Sequence, residues 1–254
     1  LRKSVRFSGQ PKLAKAREDM LKLENDGKSA RMFSFKEVIK ATNGFSKNRI
    51  LGSGGFGEVY KGELQDGTVV AIKSAKVGNV KSTEQVLNEL RILSQVNHKN
   101  LVKLLGCCVE AEQPLIIYEY ISNGTLHDHL HGKYSHSLDW KTRLKIALGT
   151  AEALAYLHSA AYTPIYHRDV KSTNILLDDD FNSKVSDFGL LRLACPGLSH
   201  ISICAQGTLG YFDPEYYPNY HLPDKSDAFS FGVVLPAILT SAKAIVFSWI
   251  DDGF

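Results

Sequence analysis

The apolar residues of this 254-residue chain change their period once, near Asn123-Gly124, and that change limits the folds open to it. Before it they come in short runs that read as strands: Ile50-Leu51, Val59-Tyr60, Thr68 to Lys73, Leu101 to Leu105 and Leu115 to Tyr120. Gln65-Asp66-Gly67 supplies a hairpin turn through its Asp-Gly pair. One helix interrupts the strands, from Ser82 to Gln95, with Val86, Leu90 and Leu93 at helical spacing. After Asn123-Gly124 the pattern is helical. Residues 139–158 form the clearest helix, capped by Asp139, with Leu144, Ala147, Leu148, Ala151, Leu154 and Ala155 as its expected apolar face. A strand-rich front and a helix-rich back imply an α+β chain of two lobes with a cleft. No internal repeat is visible.

Hydrophobic content of 44% and charged content of 22% suit a soluble globular protein with ample core. The net charge of +3 is unevenly placed. Residues 1–31 hold nine Lys or Arg against four acids, so they carry +5 and the rest of the chain −2. The body is therefore not a nucleic-acid binder by charge. Within the basic arm, residues 12–24 read as a short amphipathic helix, with Leu13, Ala16, Met20 and Leu23 on one seam. Such a helix suits either an anionic membrane surface or a solvated linker. The four cysteines, Cys107, Cys108, Cys195 and Cys204, form no disulfide framework and no C-x-x-C pair; they are expected to be reduced thiols. No run of about eighteen apolar residues occurs; Phe231 to Phe247 is interrupted by Pro236, Thr240, Ser241 and Lys243. The chain begins at Leu1, which raises the expectation of a piece of a longer protein.

Gly52, Gly54 and Gly57 fit G-x-G-x-x-G, a spacing that lets backbone approach phosphate oxygens without a Cβ in the way. In a dinucleotide fold this segment would lead from a strand into a helix. Here Val59-Tyr60-Lys61 and a tight turn follow, so it joins two strands. Glu58 stands where a Walker loop requires Lys. Lys73 ends an apolar strand, where a cation needs a partner. Glu89, sixteen residues on, is the expected partner; Glu84 on the same helix is the competing candidate. Farther on, His167-Arg168-Asp169-Val170-Lys171-Ser172-Thr173-Asn174 precedes Asp187-Phe188-Gly189. The two stretches supply two carboxylates, an amide and a lysine, the groups that phosphoryl transfer from a magnesium nucleotide needs. Magnesium takes hard oxygen ligands, and a hydroxyl nucleophile needs a carboxylate free to accept its proton. His127, His129 and His131 suggest a metal site. On a helix, however, alternate residues point about 200° apart, so only His127 and His131 share a face, and an ordinary exposed helix is the expectation.

From about Phe45 onward these motifs resemble the eukaryotic protein kinase family. Met32-Phe33-Ser34-Phe35-Lys36-Glu37 and Ala41-Thr42-Asn43-Gly44-Phe45-Ser46 are similar to plant receptor-like kinases. Tyr166 to Ser172, Leu193 to His200 and Gly207 to Tyr211 are similar to the wall-associated-kinase-like group. The resemblance implies a bilobal protein-kinase-like fold: a basic juxtamembrane arm (1–31), an N-terminal extension (32–44), an N-lobe and hinge (45–121) and a helical C-lobe (122–254) lacking its last helices. It implies ATP and Mg2+ as cofactors and serine/threonine protein substrates, because Lys171 lies two residues after Asp169 and Gly207-Thr208 precede Pro214-Glu215.

By the same likeness Asp169 is the base for the acceptor hydroxyl, Lys171 offsets charge on the transferring phosphoryl, and Asn174 and Asp187 hold the metal. Lys73, oriented by Glu89, meets the α- and β-phosphates. Leu51, Gly52, Gly54, Gly57, Val59, Ala71 and Leu176 surround the nucleotide, Tyr118 is the gatekeeper, and Glu119 to Ile121 hold adenine through backbone. Arg168 points to regulation by a phosphorylated loop, with Ser202 and Ser199 as acceptors. Thr208 is either a third acceptor or part of the substrate site. The parent protein is expected at the plasma membrane, with this region cytoplasmic.

The chain also departs from the family. It stops at Phe254, before several expected helices, and Glu215 would lose an arginine partner, at a cost of about 3–5 kcal/mol if buried. Pro236 falls within the helix expected from Asp224 to Leu239, at a cost of roughly 3 kcal/mol or more. Ile203 replaces a common threonine, and Ala244 to Ile250 is an apolar tail. A truncated gene product, working as a catalytically impaired, pseudokinase-like nucleotide- or partner-binding module, is the alternative expectation.

Overall fold

The computed structural model describes residues 31–54, 57–75, 80–111, 113–132, 134, 138–160, 163–193, 208, 210–211 and 225–243. The chain forms two units: Leu1–Ser94 with Leu104–Glu119, and Gln95–Lys103 with Tyr120–Phe254.

In the first unit, β1 (Arg31–Met32), β2 (Ile50–Gly54), β3 (Gly57–Glu63), β4 (Val69–Ala75), β5 (Leu104–Cys108) and β6 (Leu115–Glu119) make one sheet in the order β1-β5-β6-β4-β3-β2. Side chains along a strand alternate between faces. Val70 and Ile72 of β4, with Leu115 and Ile117 of β6, therefore face a core shared with Phe33, Val38 and Ala41. The latter two lie on helix α1 (Phe35–Ala41), which Ser34 starts with a capping box closed by Glu37. Ala71 and Lys73 point to the opposite face, as do Tyr118 and Ile116, their partners in β6. The Asp66-Gly67 turn forms as expected, with Gly67 at φ +83°. Parallel pairing of β1 with β5 depends on Gly106, where a Cβ would lie 1.9 Å from the Arg31 carbonyl oxygen. Helix α2 (Val80–Leu93) buries Val86, Leu90 and Leu93, as their spacing predicts.

The run Leu101 to Leu105 is not one strand. Leu101 bridges Val185 in the second unit, while the strand proper starts at Leu104 and continues through Gly106, Cys107 and Cys108. A continuous apolar run conceals where the chain passes from one core to the other.

The second unit contains α3 (Leu126–Leu130), α4 (Trp140–Ala155), a π turn at Tyr156–Ala160, β7 (Ile165–Tyr166), β8 (Ile175–Leu177), β9 (Ser183–Val185), β10 (Arg192–Leu193) and α5 (Ser226–Thr240). β8 pairs with β9 and β7 with β10. Leu126, Ile146, Leu154, Ile175, Leu177, Val234 and Ile238 meet in its core. Asp139 caps α4 as expected, accepting from Thr142 N. The buried face of α4, however, is Ile146, Gly149, Thr150, Ala153 and Leu154, whereas Leu144 and Leu148 are 47% and 62% exposed. The helix carries two apolar stripes, and the one with small residues is buried. A Cβ at Gly149 would sit 2.6 Å from both Asn100 Nδ2 and Ser183 Oγ, so close approach of β9 decides the face. Pro236 lies inside α5 without ending it. Among the described residues no helix is long and apolar enough to cross a membrane.

Candidate active site

In the first unit, alternation along β4 turns Lys73 away from the Val70–Ile72 core and toward α2. Its Nζ lies 2.9 Å from Oε2 of Glu89, with the two side chains 8% and 1% exposed. Glu89 is the expected partner and is itself buried, on the same helix as buried Leu90. The other carboxylate oxygen, Oε1, accepts a hydrogen bond from the Tyr118 phenol. Strand register places Val59 opposite Lys73, and Ala71 opposite Tyr118, so these four share a sheet face. Leu51 sits at a bulge in β2 and is exposed, like Gly52 and Gly54. Added Cβ atoms at Gly52 and Gly54 would meet nothing within 4 Å. Gly57 is different: its φ is +143° and a Cβ would lie 1.8 Å from the Ser74 carbonyl oxygen. The fold itself requires that glycine. Glu119 ends β6 and is half-buried.

In the second unit, Asp169, Lys171 and Thr208 close a triangle. Lys171 Nζ donates to Asp169 Oδ2 at 2.8 Å and to Thr208 Oγ1 at 2.7 Å. Thr208 Oγ1 donates to Asp169 Oδ1 at 2.7 Å. A carboxylate bonded to a hydroxyl can take its proton, and an adjacent ammonium offsets charge that develops nearby. Asn174 Nδ2 donates to the Asp169 carbonyl at 2.8 Å and to Asp169 Oδ2 at 3.0 Å. Ser186 binds the Asn174 carbonyl through both N and Oγ, at 2.8 and 3.0 Å. His167 accepts from Asp169 N at Nδ1 and donates from Nε2 to the Ser186 carbonyl. The loop of Asp169 is thereby tied to the residue just before Asp187.

Asp187 has φ +60° and Arg168 φ +69°, left-handed conformations that cost about 1–3 kcal/mol each for non-glycine residues and persist only where surroundings enforce them. For Arg168 the enforcing group is Asp227 of α5. Its Oδ2 and Oδ1 accept from His167 N and Arg168 N, each at 2.7 Å. His158 Nε2 also lies 2.8 Å from Asp227 Oδ2. Burial alone would raise the pKa of Asp227, but the His158 hydrogen bond, the electrostatic influence of the nearby His167 ring and the two backbone donors outweigh it and hold it below the ordinary value. Sequence reasoning missed Asp227 and His158. An acid in the first turn of a helix reads as a dipole-compensating surface residue, and nothing nearby marks it as buried. Leu176 on β8 and Ile121 are both half-buried.

His127 and His131 share a face as expected, with ring centroids 4.6 Å apart. His129 turns the other way, bonding the Asn123 carbonyl at 2.8 Å and stacking on Tyr134. Ser199, Ser202, Cys195, Cys204, Glu215, the helix at 12–24 and the tail from Ala244 lie outside the described residues. Cys107 and Cys108 are both buried.

The model of the family described as protein tyrosine and serine/threonine kinase matches residues 45–249. The chain is 60% identical over 244 residues to wall-associated receptor kinase-like 20 of Arabidopsis thaliana, a match covering 93% of this chain and 37% of that protein. It is 54% identical over 253 residues to wall-associated receptor kinase-like 15, covering 96% and 39%, and 53% identical over 218 residues to wall-associated receptor kinase 2, covering 85% and 30%, both from the same plant. The chain thus spans between 30% and 39% of the length of these relatives. The matched span takes in the Lys73–Glu89 pair of one unit and the Asp169 triangle of the other, so this chain belongs to the protein tyrosine and serine/threonine kinase family and is similar, within it, to the wall-associated receptor kinases.

Proposed function

We propose that this chain transfers the γ-phosphoryl group of ATP to serine and threonine hydroxyls of protein substrates in receptor signalling. The observation that carries the reading is the Asp169–Lys171–Thr208 triangle: a short aliphatic hydroxyl already bonds the carboxylate and the ammonium together. Asp169 orients the acceptor hydroxyl and takes its proton; Lys171 offsets charge on the transferring group; Thr208 holds the two in register. In the first unit, Lys73 meets the nucleotide phosphates and Glu89 keeps its ammonium aimed. Leu51, Gly52, Gly54, Gly57, Val59, Ala71, Tyr118 and Glu119 supply nucleotide contacts there. Ile121 and Leu176 supply them in the second unit.

Asn174 and Asp187 fit magnesium. The Asn174 amide nitrogen is committed to Asp169, which leaves its side-chain oxygen as a hard donor beside a carboxylate-bearing segment. Magnesium, when bound, neutralises charge on the phosphate oxygens. Arg168 is the cation that a phosphorylated Ser199 or Ser202 would engage. By likeness to the receptor kinases, the parent protein sits at the plasma membrane with this region on the cytoplasmic side, and residues 1–31 lie against anionic lipid.

The test is incubation of the purified chain with γ-labelled ATP, magnesium and a generic acceptor protein, followed by phosphoamino-acid analysis. Label on serine and threonine, reduced by about 10² or more in Asp169→Asn, is the expected result. Label on tyrosine refutes the specificity. Nucleotide binding with no transfer at high enzyme concentration overturns the reading in favour of a nucleotide-binding module.

A further inference from the structure

The first unit holds a half-open cavity of about 450 Å³ that none of the residues assigned to phosphoryl transfer explains, apart from Gly57 on its wall. Its volume falls within the range of roughly 300–1,000 Å³ typical of small-molecule sites. Phe35, Phe45 and Tyr60 line it, together with the carboxylate of Glu58, and no lysine or arginine is among the described lining residues. The Phe45 and Tyr60 rings stand edge to face, 78° apart with centroids at 5.3 Å, and so form adjoining walls. Phe35 lies 6.3 Å from Phe45 at 31°. The Phe35 backbone is held by Glu110, whose Oε2 accepts from Phe35 N at 2.9 Å.

Two features show that this arrangement is held in place. Phe45 has φ +56°, a region that bulky residues rarely occupy, and its N–H is fixed by Thr42 Oγ1 at 3.0 Å. The Tyr60 phenol donates to Oε2 of Glu58 and so holds that carboxylate at the cavity wall. Burial, and then the neighbouring Glu58, raise the Tyr60 hydroxyl to about 12, so it stays a donor.

Ring faces carry negative electrostatic potential, and among the described lining residues the one charged group, Glu58, has the same sign. Neutral apolar ligands gain nothing from that carboxylate, and anions are repelled by it. We propose that this cavity binds a small alkylammonium cation, with Phe35, Phe45 and Tyr60 as the aromatic walls and Glu58 as the counter-charge. The inference is independent of the phosphoryl-transfer reading, since it requires neither nucleotide nor Asp169.

The experiment titrates the full chain with choline and, separately, with its neutral carbon isostere 3,3-dimethyl-1-butanol, following aromatic NMR signals and heat. Choline is expected to shift the signals of Phe35, Phe45 and Tyr60 and to bind at least about tenfold more tightly than the isostere. Glu58→Gln, which keeps shape and removes charge, is expected to erase most of that difference. Equal affinity for choline and isostere, choline affinity unchanged in Glu58→Gln, or no binding at about 10 mM choline each overturns the proposal. The comparison of the two ligands on the unaltered chain decides the matter even if a variant fails to fold.

Discussion

The phenol of Tyr118 donates a hydrogen bond to Oε1 of Glu89, the carboxylate whose other oxygen holds Lys73 at 2.9 Å. One buried acid thus serves a neutral donor from β6 and a cation from β4. Tyr118→Phe removes the neutral donor and leaves a buried acceptor unsatisfied, a loss of about 1–3 kcal/mol. Thermal unfolding should show a fall in Tm of several degrees. Lys73→Met, which leaves a buried charge without its counter-ion, should cost more, about 3–5 kcal/mol. Equal stability of Tyr118→Phe and the parent chain would show that the hydrogen bond contributes nothing.

Asp227 should leave a signature in acid. Its pKa is held below the ordinary carboxylate value, so its contribution to stability is complete above about pH 4, the unfolded-state value, and is lost as pH falls through the folded-state value. Asp227→Asn can satisfy only one of the two backbone donors well. It should be less stable at pH 7 by about 1–3 kcal/mol and should lack the acid-dependent component. Denaturant midpoints collected from pH 7 down to about pH 2 test both parts. Parallel pH profiles for the two chains would refute the second.

Thr208 separates a hydroxyl requirement from simple bulk. Thr208→Ala should reduce phosphoryl transfer by about tenfold or more, the equivalent of about 1.4 kcal/mol for the two lost contacts to Asp169 and Lys171. Thr208→Ser should restore most of the rate. If Ser and Ala variants behave alike, the hydroxyl is not what matters.

Gly52 and Gly54 of β2 and Gly57 of β3 should not be equivalent in folding. Gly57→Ala places a Cβ 1.8 Å from the Ser74 carbonyl oxygen at a φ that side chains avoid, and should destabilise the chain by about 2 kcal/mol or more. Gly52→Ala and Gly54→Ala meet open space and should change unfolding free energy by only about 0.5 kcal/mol. Any larger loss of activity in those two would then be a ligand effect. Paired denaturant and transfer measurements distinguish the cases.

How much of this was legible in the sequence depended on range. The positions of β4, β6 and α2 followed from apolar spacing. The strands Ile165–Tyr166, Ile175–Leu177, Ser183–Val185 and Arg192–Leu193, by contrast, lie where the sequence pattern reads as helical and are too short to set a period of their own. The Lys73–Glu89 pair was legible because an apolar strand cannot hold a lone cation. The buried face of α4 was not: two stripes compete on one helix, and close approach of Asn100 and Ser183 to Gly149 selects the stripe that looks weaker in hydrophobicity. Asp227 was illegible for a related reason. Its donors, His167 N and Arg168 N, lie 60 and 59 residues away and belong to the backbone, which has no sequence signature.

The segment Gln95–Lys103 belongs to the second unit although first-unit chain lies on both sides of it. Its Asn100 carbonyl accepts from Val185 N and its Val102 N donates to the Val185 carbonyl, while His98 stacks on Tyr156. The polypeptide therefore crosses between the units three times, at 94/95, 103/104 and 119/120. No single cut can divide this protein into two consecutive pieces that each carry a whole unit. A ribosome must likewise lay down β6 before the first sheet can close, by which time a stretch of the second unit has already been made.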